Sequence, residues 1–269
     1  MEQSKSDSVE YLMTEPLFSP YSKWIAELCR VEKGMSVLDV GCGIGVSAFS
    51  MLEMVGQAGK ITGLDISSGG ISQAISRSSQ LQIPNISFVI SNAENLQFSN
   101  DVFDCITSSF AIIQIPDRLK ALKEMIRVLK PGGSIGFTIP GLYHFQEFYN
   151  IVTNILEEDW LHQRKERLKT DPDTYQTLLK QLGEIELLST DVKIMTYNIR
   201  TIEEYETILK TRGPMNTVLS KIPNNRREIV WHDILCELEA NIKSNQQLPI
   251  TVHAHGIVVQ KRQAEERCP

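Results

Sequence analysis

The sequence predicts an α/β protein built on a doubly wound sheet of seven strands, and three observations support this fold class. Short apolar runs alternate with amphipathic stretches through the first half of the chain, as in parallel sheets with crossover helices. A glycine cluster, Gly41 to Gly45, directly follows the first apolar run. The chain has 269 residues, 42% hydrophobic and 22% charged, which is the composition of a globular protein.

Five strands and three helices are predicted before residue 140. Each strand is a short apolar run, and the five runs are residues 35–40, 60–65, 86–90, 103–109 and 134–139. Amphipathic spacing predicts helices over residues 44–55, 70–80 and 119–129. The last of these is the clearest, because its apolar residues recur every three or four positions until Pro131-Gly132-Gly133 ends it.

The second half of the chain is mainly helical between its two strands. Helical spacing continues over residues 145–155 and 176–182, and strands are predicted over 185–197 and 250–259. Thr201 and Glu204 form a capping box that opens a helix, and residues 214–242 are mostly helical with a break near Pro223. We interpret residues 1–269 as one domain, with an N-terminal helical lid segment, 1–33, and a helical cap insertion, 141–183, between strands five and six.

Composition and charge exclude several classes of function. The net charge of −6 disfavours nucleic acid as a partner, because counterion release requires a cationic face. The first ten residues lack an apolar signal core, and no apolar run approaches the roughly 20 residues of a membrane span. The five cysteines are scattered without metal-ligand spacing, so no metal site is predicted. We expect a reduced, cytoplasmic protein.

The glycine cluster is the first candidate for a binding site. A strand leads into a glycine-rich turn in Val37-Leu38-Asp39-Val40-Gly41-Cys42-Gly43-Ile44-Gly45. The glycines have no side chain that could keep a ligand away from the backbone. A dinucleotide fingerprint would place its third glycine where Val46 and Ser47 stand. The carboxylate of Asp39, before the first glycine, suits a cationic ligand and would repel a pyrophosphate. A purely structural glycine turn is the alternative interpretation.

Further polar residues follow the next strands. Asp65 ends the second strand, where an acidic side chain can accept hydrogen bonds from both hydroxyls of a ribose. Asn92-Ala93-Glu94 follows the third strand, Phe103-Asp104 opens the fourth, and Leu129-Lys130-Pro131-Gly132-Gly133 precedes the fifth. Asp65 alone is a weak signal, but its position 24 residues after Gly41 and one strand along strengthens it.

On these motifs the chain resembles the class I S-adenosylmethionine-dependent methyltransferases, in particular the small-molecule branch that contains the ubiquinone and menaquinone biosynthesis enzymes. The resemblance covers residues 34–140 in order and spacing. It implies a Rossmann-like sheet with the strand order 3-2-1-4-5-7-6, S-adenosyl-L-methionine as cofactor and S-adenosyl-L-homocysteine as product. The ligand would lie beyond strands one and four.

The resemblance also implies a role for each matching residue. Gly41, Cys42 and Gly43 would meet the methionine moiety, with Asp39 near its ammonium group. Asp65 would bind the ribose. The remaining contacts would be Ile66 packing on the adenine, Asn92 and Ala93 at the adenine edge, and Ser109 near the methionine end. The family usually has aspartate at position 92, and asparagine keeps an acceptor oxygen while losing the charge.

Methyl transfer from a sulfonium is an in-line displacement, so the protein mainly aligns donor and acceptor. A base is required only where the acceptor is protonated, as an alcohol, phenol or acidic carbon would be. The loop after strand four has no histidine, although related enzymes often have one there, and His144 after strand five is the candidate catalytic residue. Aromatic residues are candidates to roof an apolar acceptor pocket: Tyr11, Phe18, Tyr21, Trp24, Phe145, Phe148, Tyr149 and Trp160.

The resulting hypothesis is an enzyme that methylates an O, N or C nucleophile of a small organic metabolite with apolar or aromatic character. The oligomeric state is left open. One alternative keeps the cofactor without methyl transfer, as a cyclase or binding protein of the same fold. Another, a nicotinamide-dependent oxidoreductase, is disfavoured by Asp39 and the missing third glycine.

Overall fold

The structure is a computed structural model that describes residues 15–160, 162–163, 172–211, 214–245 and 247–263. The aromatic candidate Tyr11 and one of the five cysteines, Cys268, lie outside the described residues.

The strands form one seven-stranded sheet in the order β3-β2-β1-β4-β5-β7-β6, which confirms the predicted fold class and strand order. The strands are β1 (Ser36–Val40), β2 (Lys60–Asp65), β3 (Ile86–Ile90), β4 (Phe103–Ser109), β5 (Leu129–Pro140), β6 (Ile185–Ile199) and β7 (Leu248–Lys261). Strands β1 to β5 pair in parallel. Because the chain order reverses between β1 and β4, a crevice for a ligand is expected at their carboxyl ends.

Helices connect these strands as the sequence predicts. They are α1 (Glu15–Leu28), α2 (Val46–Ser50), α3 (Leu52–Val55), α4 (Ser68–Gln80), α5 (Arg118–Val128), α6 (Gln146–Leu156), α7 (Pro172–Leu179), α8 (Ile202–Thr211), α9 (Pro214–Leu219) and α10 (Arg227–Asn245). The N-cap half of the predicted capping box is present, because the hydroxyl of Thr201 accepts a hydrogen bond from the Glu204 N–H at 3.2 Å.

Helix α7 begins at Pro172, four residues before its predicted start at Gln176, and two further elements differ from the sequence prediction. The helix expected over residues 44–55 is divided at Met51 into α2 and α3, and the Ser50 hydroxyl donates to the Ser47 carbonyl at 2.7 Å, an alternative to helical backbone bonding. Strand β5 begins at Leu129 rather than Ser134. Leu129 pairs with Phe103, and an irregularity in the register lets the strand continue through Pro131-Gly132-Gly133.

The chain separates into two compact units. The glycine-loop unit comprises Phe18–Ile139, Thr170–Lys193 and Ala254–Pro269. Its strands bury alternate residues in two apolar clusters, as the pleat requires: Val37 packs in one cluster, with Ile25 of α1 and Ile71 of α4, whereas Leu38 packs in the other, with Met125 of α5. Both faces of the sheet in this unit are therefore covered by helices.

The helical unit comprises Met1–Leu17, Pro140–Lys169 and Ile194–His253. In it, α10 packs against α6 and α8, and buried apolar side chains such as Phe148, Tyr205 and Ile234 form its interior. Within the described part of the chain, no helix combines the length and the apolar character needed to cross a bilayer.

Candidate functional site

The glycine cluster forms a loop between β1 and α2 in which Gly41, Gly43 and Gly45 all have positive φ, at 76°, 54° and 87°. A Cβ atom added to Gly41 would overlap the Cβ of Ala111, so this position requires glycine for space as well as conformation. At Gly43, no atom of the described residues lies within 4 Å of such a Cβ. The backbone at Gly43 therefore faces open space, where a ligand can approach it.

Asp65 connects the glycine loop to the start of α4. One of its carboxylate oxygens accepts a hydrogen bond from the Gly43 N–H, and the other accepts one from the Ser67 N–H, both at 2.8 Å. A carboxylate has about four acceptor positions. Asp65 can therefore hold the loop and still accept hydrogen bonds from the hydroxyl groups of a ligand.

Asp39 is completely buried near the carboxyl end of β1. Its Oδ1 accepts a hydrogen bond from the Thr107 hydroxyl at 3.1 Å, whereas Oδ2 makes no hydrogen bond of good geometry with any described residue. Burial raises the pKa of Asp39 to about 7, the hydrogen bond from Thr107 opposes the rise, and the charge of Asp65 adds to it. A positive charge placed nearby would favour the ionised form, so the site suits a cationic ligand.

The side chains predicted at the adenine lie at the ends of β2 and β3. Ile66 is 73% exposed, which is unusual for an isoleucine and leaves an apolar surface beside Asp65. Asn92 is exposed, and its Oδ1 accepts a hydrogen bond from the Glu94 N–H at 2.9 Å, which shapes the turn that follows β3. Ala93 is buried against the apolar cluster that contains Leu38.

The other two predicted donor contacts, Cys42 and Ser109, are placed differently. The Cys42 side chain is buried in the apolar cluster that contains Val37, and burial raises the pKa of its thiol. Only the backbone of Cys42 is placed to meet a ligand. Ser109 ends β4 and is half-buried, and its Oγ accepts a hydrogen bond from the Ser22 hydroxyl of α1 at 3.1 Å.

Phe110, next to the candidate site, has a backbone conformation that the sequence does not reveal. It follows Ser109 with a φ of 55°, the left-handed region, which costs a residue with a side chain about 1–2 kcal/mol. Ala111 then contacts Gly41. No glycine or asparagine marks the conformation of Phe110, so no local signal could have predicted it.

The predicted catalytic residue, His144, is buried in the helical unit. Its Nδ1 accepts a hydrogen bond from the His253 N–H at 3.3 Å, and the Nδ1 of His253 accepts one from the Tyr143 N–H at 3.1 Å. Because a backbone N–H can only donate, a neutral His144 ring carries its proton on Nε2. Among the residues that the structure describes, no group of three or more histidine, cysteine or acidic side chains could hold a metal ion.

This arrangement in the glycine-loop unit has a clear chemical preference. A glycine turn open at Gly43 lies between a buried carboxyl group, Asp39, and a second carboxylate, Asp65, with apolar Ile66 beside it. Two acidic groups would repel a pyrophosphate, whereas a ligand with a positive charge, a ribose and a flat apolar ring would match all three features.

Comparison with known proteins identifies relatives that match the N-terminal half of the chain. The sequence model of the ubiE/COQ5 methyltransferase family matches residues 3–157. The demethylmenaquinone methyltransferase of Oceanobacillus iheyensis is 36% identical over 132 residues, which are 49% of this chain and 56% of the relative. The chain spans about half the length of the curated relatives it matches.

Solved structures agree on the fold. The YcgJ protein of Bacillus subtilis has a TM-score of 0.56 at 18% identity, over 91% of this chain and 99% of that one. A SAM-dependent methyltransferase from Aquifex aeolicus has a TM-score of 0.50 at 22% identity, over 66% of this chain and 84% of that one. The family match covers more than half of this chain and confirms the predicted resemblance to S-adenosylmethionine-dependent methyltransferases. This chain belongs to the ubiE/COQ5 methyltransferase family.

Proposed function

We propose that the glycine-loop unit binds S-adenosylmethionine and that the protein transfers its methyl group to a small apolar acceptor of aromatic character. The observation that supports this most strongly is the placement of the open glycine turn between Asp39 and Asp65. The names of the curated relatives, demethylmenaquinone methyltransferases, favour a quinone-like aromatic ring as the acceptor.

In this proposal, each donor contact has a chemical reason. The backbone at Gly41, Cys42 and Gly43 meets the methionine moiety, and Asp39 provides negative charge for its ammonium group. Asp65 accepts the ribose hydroxyls. The remaining contacts are Ile66 under the adenine, Asn92 and Ala93 at its edge, and Ser109 at the methionine end.

The transfer is one displacement. The nucleophilic atom of the acceptor bonds to the methyl carbon while the bond between that carbon and sulfur breaks, and its electron pair stays on S-adenosylhomocysteine. The acceptor then releases its proton to solvent water. An aromatic carbon attacks best when its ring is electron-rich, so we propose the reduced, quinol form of a quinone-like acceptor. Alignment of the three atoms can contribute about 7–11 kcal/mol.

The decisive experiment combines binding and product analysis. Isothermal titration should show binding of S-adenosylmethionine, and methyl-labelled donor with a reduced prenylated 1,4-naphthoquinone should give labelled quinol and an equal amount of S-adenosylhomocysteine. Absence of donor binding would contradict the proposal. A changed acceptor without S-adenosylhomocysteine would instead support a cyclase-like use of the cofactor.

We expect Asp65→Asn to weaken S-adenosylhomocysteine binding about 10- to 100-fold, because a hydrogen bond to a charged group contributes about 1.5–3 kcal/mol. The measurement is isothermal titration. Asp104→Asn is the matched control. Asp104 also accepts a hydrogen bond from a backbone N–H, that of Ser36 at 2.8 Å, but it lies at the amino end of β4, whereas Asp65 lies at the carboxyl end of β2. Equal losses in the two variants would show that the effect comes from the fold and not from ribose recognition.

We also propose a direct role for His144 in the transfer, as a hydrogen-bond donor through Nε2 rather than as a base, because His253 occupies its Nδ1. His144→Gln keeps an N–H donor and should keep more turnover than His144→Ala, which we expect to lose about tenfold or more. Donor affinity should be equal in both variants. If His144 instead acted as a general base, both substitutions would reduce turnover equally, and the pH profile of kcat would change.

A further inference from the structure

The strained residue Phe110 is held from two sides. Its N–H donates to the hydroxyl of Thr138 in β5 at 2.9 Å, in a register where Thr138 pairs with Ser109. Its ring makes edge-on contacts with Phe18 and Tyr21 of α1, with centroid distances of 5.5 and 5.6 Å. A non-glycine residue in the left-handed region persists only where its surroundings fix it, and such residues cluster at functional sites.

The neighbours of Phe110 connect this strained residue to the glycine loop, Gly41 to Gly45, which is called the donor loop below because the proposed methyl donor binds there. Ala111, the next residue, lies so close to Gly41 that a Cβ on Gly41 would overlap it. Ser109, the preceding residue, ends β4 and is hydrogen-bonded to Ser22. Phe110 therefore lies between a contact with α1 and a contact with the first glycine of the loop, all within the glycine-loop unit.

The exposure of the three rings differs in a way that suggests a function. Phe18 and Tyr21 are buried, whereas Phe110 is half-buried. Two buried rings thus support a third that is partly accessible beside the donor loop. Aromatic rings in such arrangements bind other flat rings by stacking or edge-on contact.

We propose that Phe110, supported by Phe18 and Tyr21, is the residue that selects an aromatic acceptor and holds its ring beside the donor methyl group. This inference rests on the proposed function for the identity of the donor. It adds the residue that recognises the aromatic ring of the acceptor. Phe110 acts here as a binding surface with no proton to transfer, so its removal should affect acceptor affinity more than kcat.

The test is binding of 1,4-naphthoquinol, kept reduced under anaerobic conditions, to the protein saturated with S-adenosylhomocysteine, measured by isothermal titration. Phe110→Leu should weaken naphthoquinol binding about tenfold and leave S-adenosylhomocysteine affinity within about twofold. Phe110→Tyr, which keeps the ring, should bind as the wild-type protein does. If the leucine variant does not fold, Phe110→Met provides a second flexible apolar side chain without a ring.

Phe98→Leu is the matched control. Phe98 is also half-buried and also makes an edge-on contact, with Phe103 at 5.1 Å, but it belongs to the segment after β3 and not to the donor loop. It should leave naphthoquinol binding unchanged. Unchanged binding in Phe110→Leu, or no naphthoquinol binding by the wild-type protein, would overturn this inference. Tight binding that depends on Phe110 without any methylated product would overturn the proposed function alone.

Discussion

Asp39→Asn should make the protein more stable than the wild type at pH 8 and about equally stable at pH 4. Burial raises the pKa of Asp39 from 3.8 to about 7 in the folded protein. Between these two values the folded state holds a proton that the unfolded state has released. The free energy of unfolding therefore falls as pH rises through this window, by up to about 4 kcal/mol, and the loss is complete above the folded-state pKa.

Asparagine at position 39 does not titrate, and its amide oxygen can still accept the hydrogen bond from Thr107. Chemical denaturation of both proteins at pH 4, 5, 6, 7 and 8 measures the effect. Every other titrating group is common to the two chains, so the difference between the two curves reports Asp39 together with its charge coupling to Asp65. Parallel curves would contradict the predicted burial effect.

Thr107→Val provides a second variant for the same prediction. Its hydroxyl donates to Asp39 and lowers the pKa of that carboxyl group, so its removal should move the pH-dependent loss of stability to higher pH.

The functional consequence of Asp39→Asn should be opposite to its effect on stability. Without the carboxylate, the proposed donor loses the negative charge near its ammonium group, and isothermal titration should show weaker binding.

The features that could be predicted from the sequence are those encoded locally. The glycine turn follows its strand directly, and Asp65 follows the next strand, so both were predicted from a short stretch of residues. The helix boundaries that depend on caps agree to within one or two residues, as at Thr201. The order of the strands came from the resemblance, because periodicity alone does not determine which strands are neighbours.

The features that could not be predicted depend on residues far apart in the chain. The conformation of Phe110 depends on Thr138 in β5 and on two rings of α1, about ninety residues earlier. The tautomer of His144 depends on the backbone of His253, 109 residues away. In each case the partner is brought close only by the folded sheet, and the local sequence carries no turn or capping signal.

Gly41→Ala should be strongly destabilising, because it combines backbone strain with steric overlap. Alanine at the observed φ of 76° costs about 1–2 kcal/mol in the left-handed region. Its Cβ would also overlap Ala111, and such overpacking adds about 1–3 kcal/mol. We expect a loss of about 2–5 kcal/mol in the free energy of unfolding, measured by chemical denaturation, together with loss of donor binding.

Two control substitutions separate the cost of backbone strain from the cost of overlap with Ala111 and from the loss of donor binding. Gly34 has a φ of 89°, and no atom of the described residues lies within 4 Å of an added Cβ, so Gly34→Ala should show the conformational cost alone. Gly43 is equally open at a φ of 54°. Gly43→Ala should therefore be as stable as Gly34→Ala, but its methyl group would occupy the space proposed for the donor and should weaken donor binding.

The double variant Gly41→Ala with Ala111→Gly completes the comparison. Removing the Ala111 side chain makes room for the new methyl group, so the double variant should recover most of the loss due to overlap and retain only the strain. The coupling free energy between the two positions should be about 1–3 kcal/mol. If the losses in the free energy of unfolding were additive, the glycine loop and the segment after β4 would not be in contact. That result would also contradict the placement of Phe110 beside the donor loop.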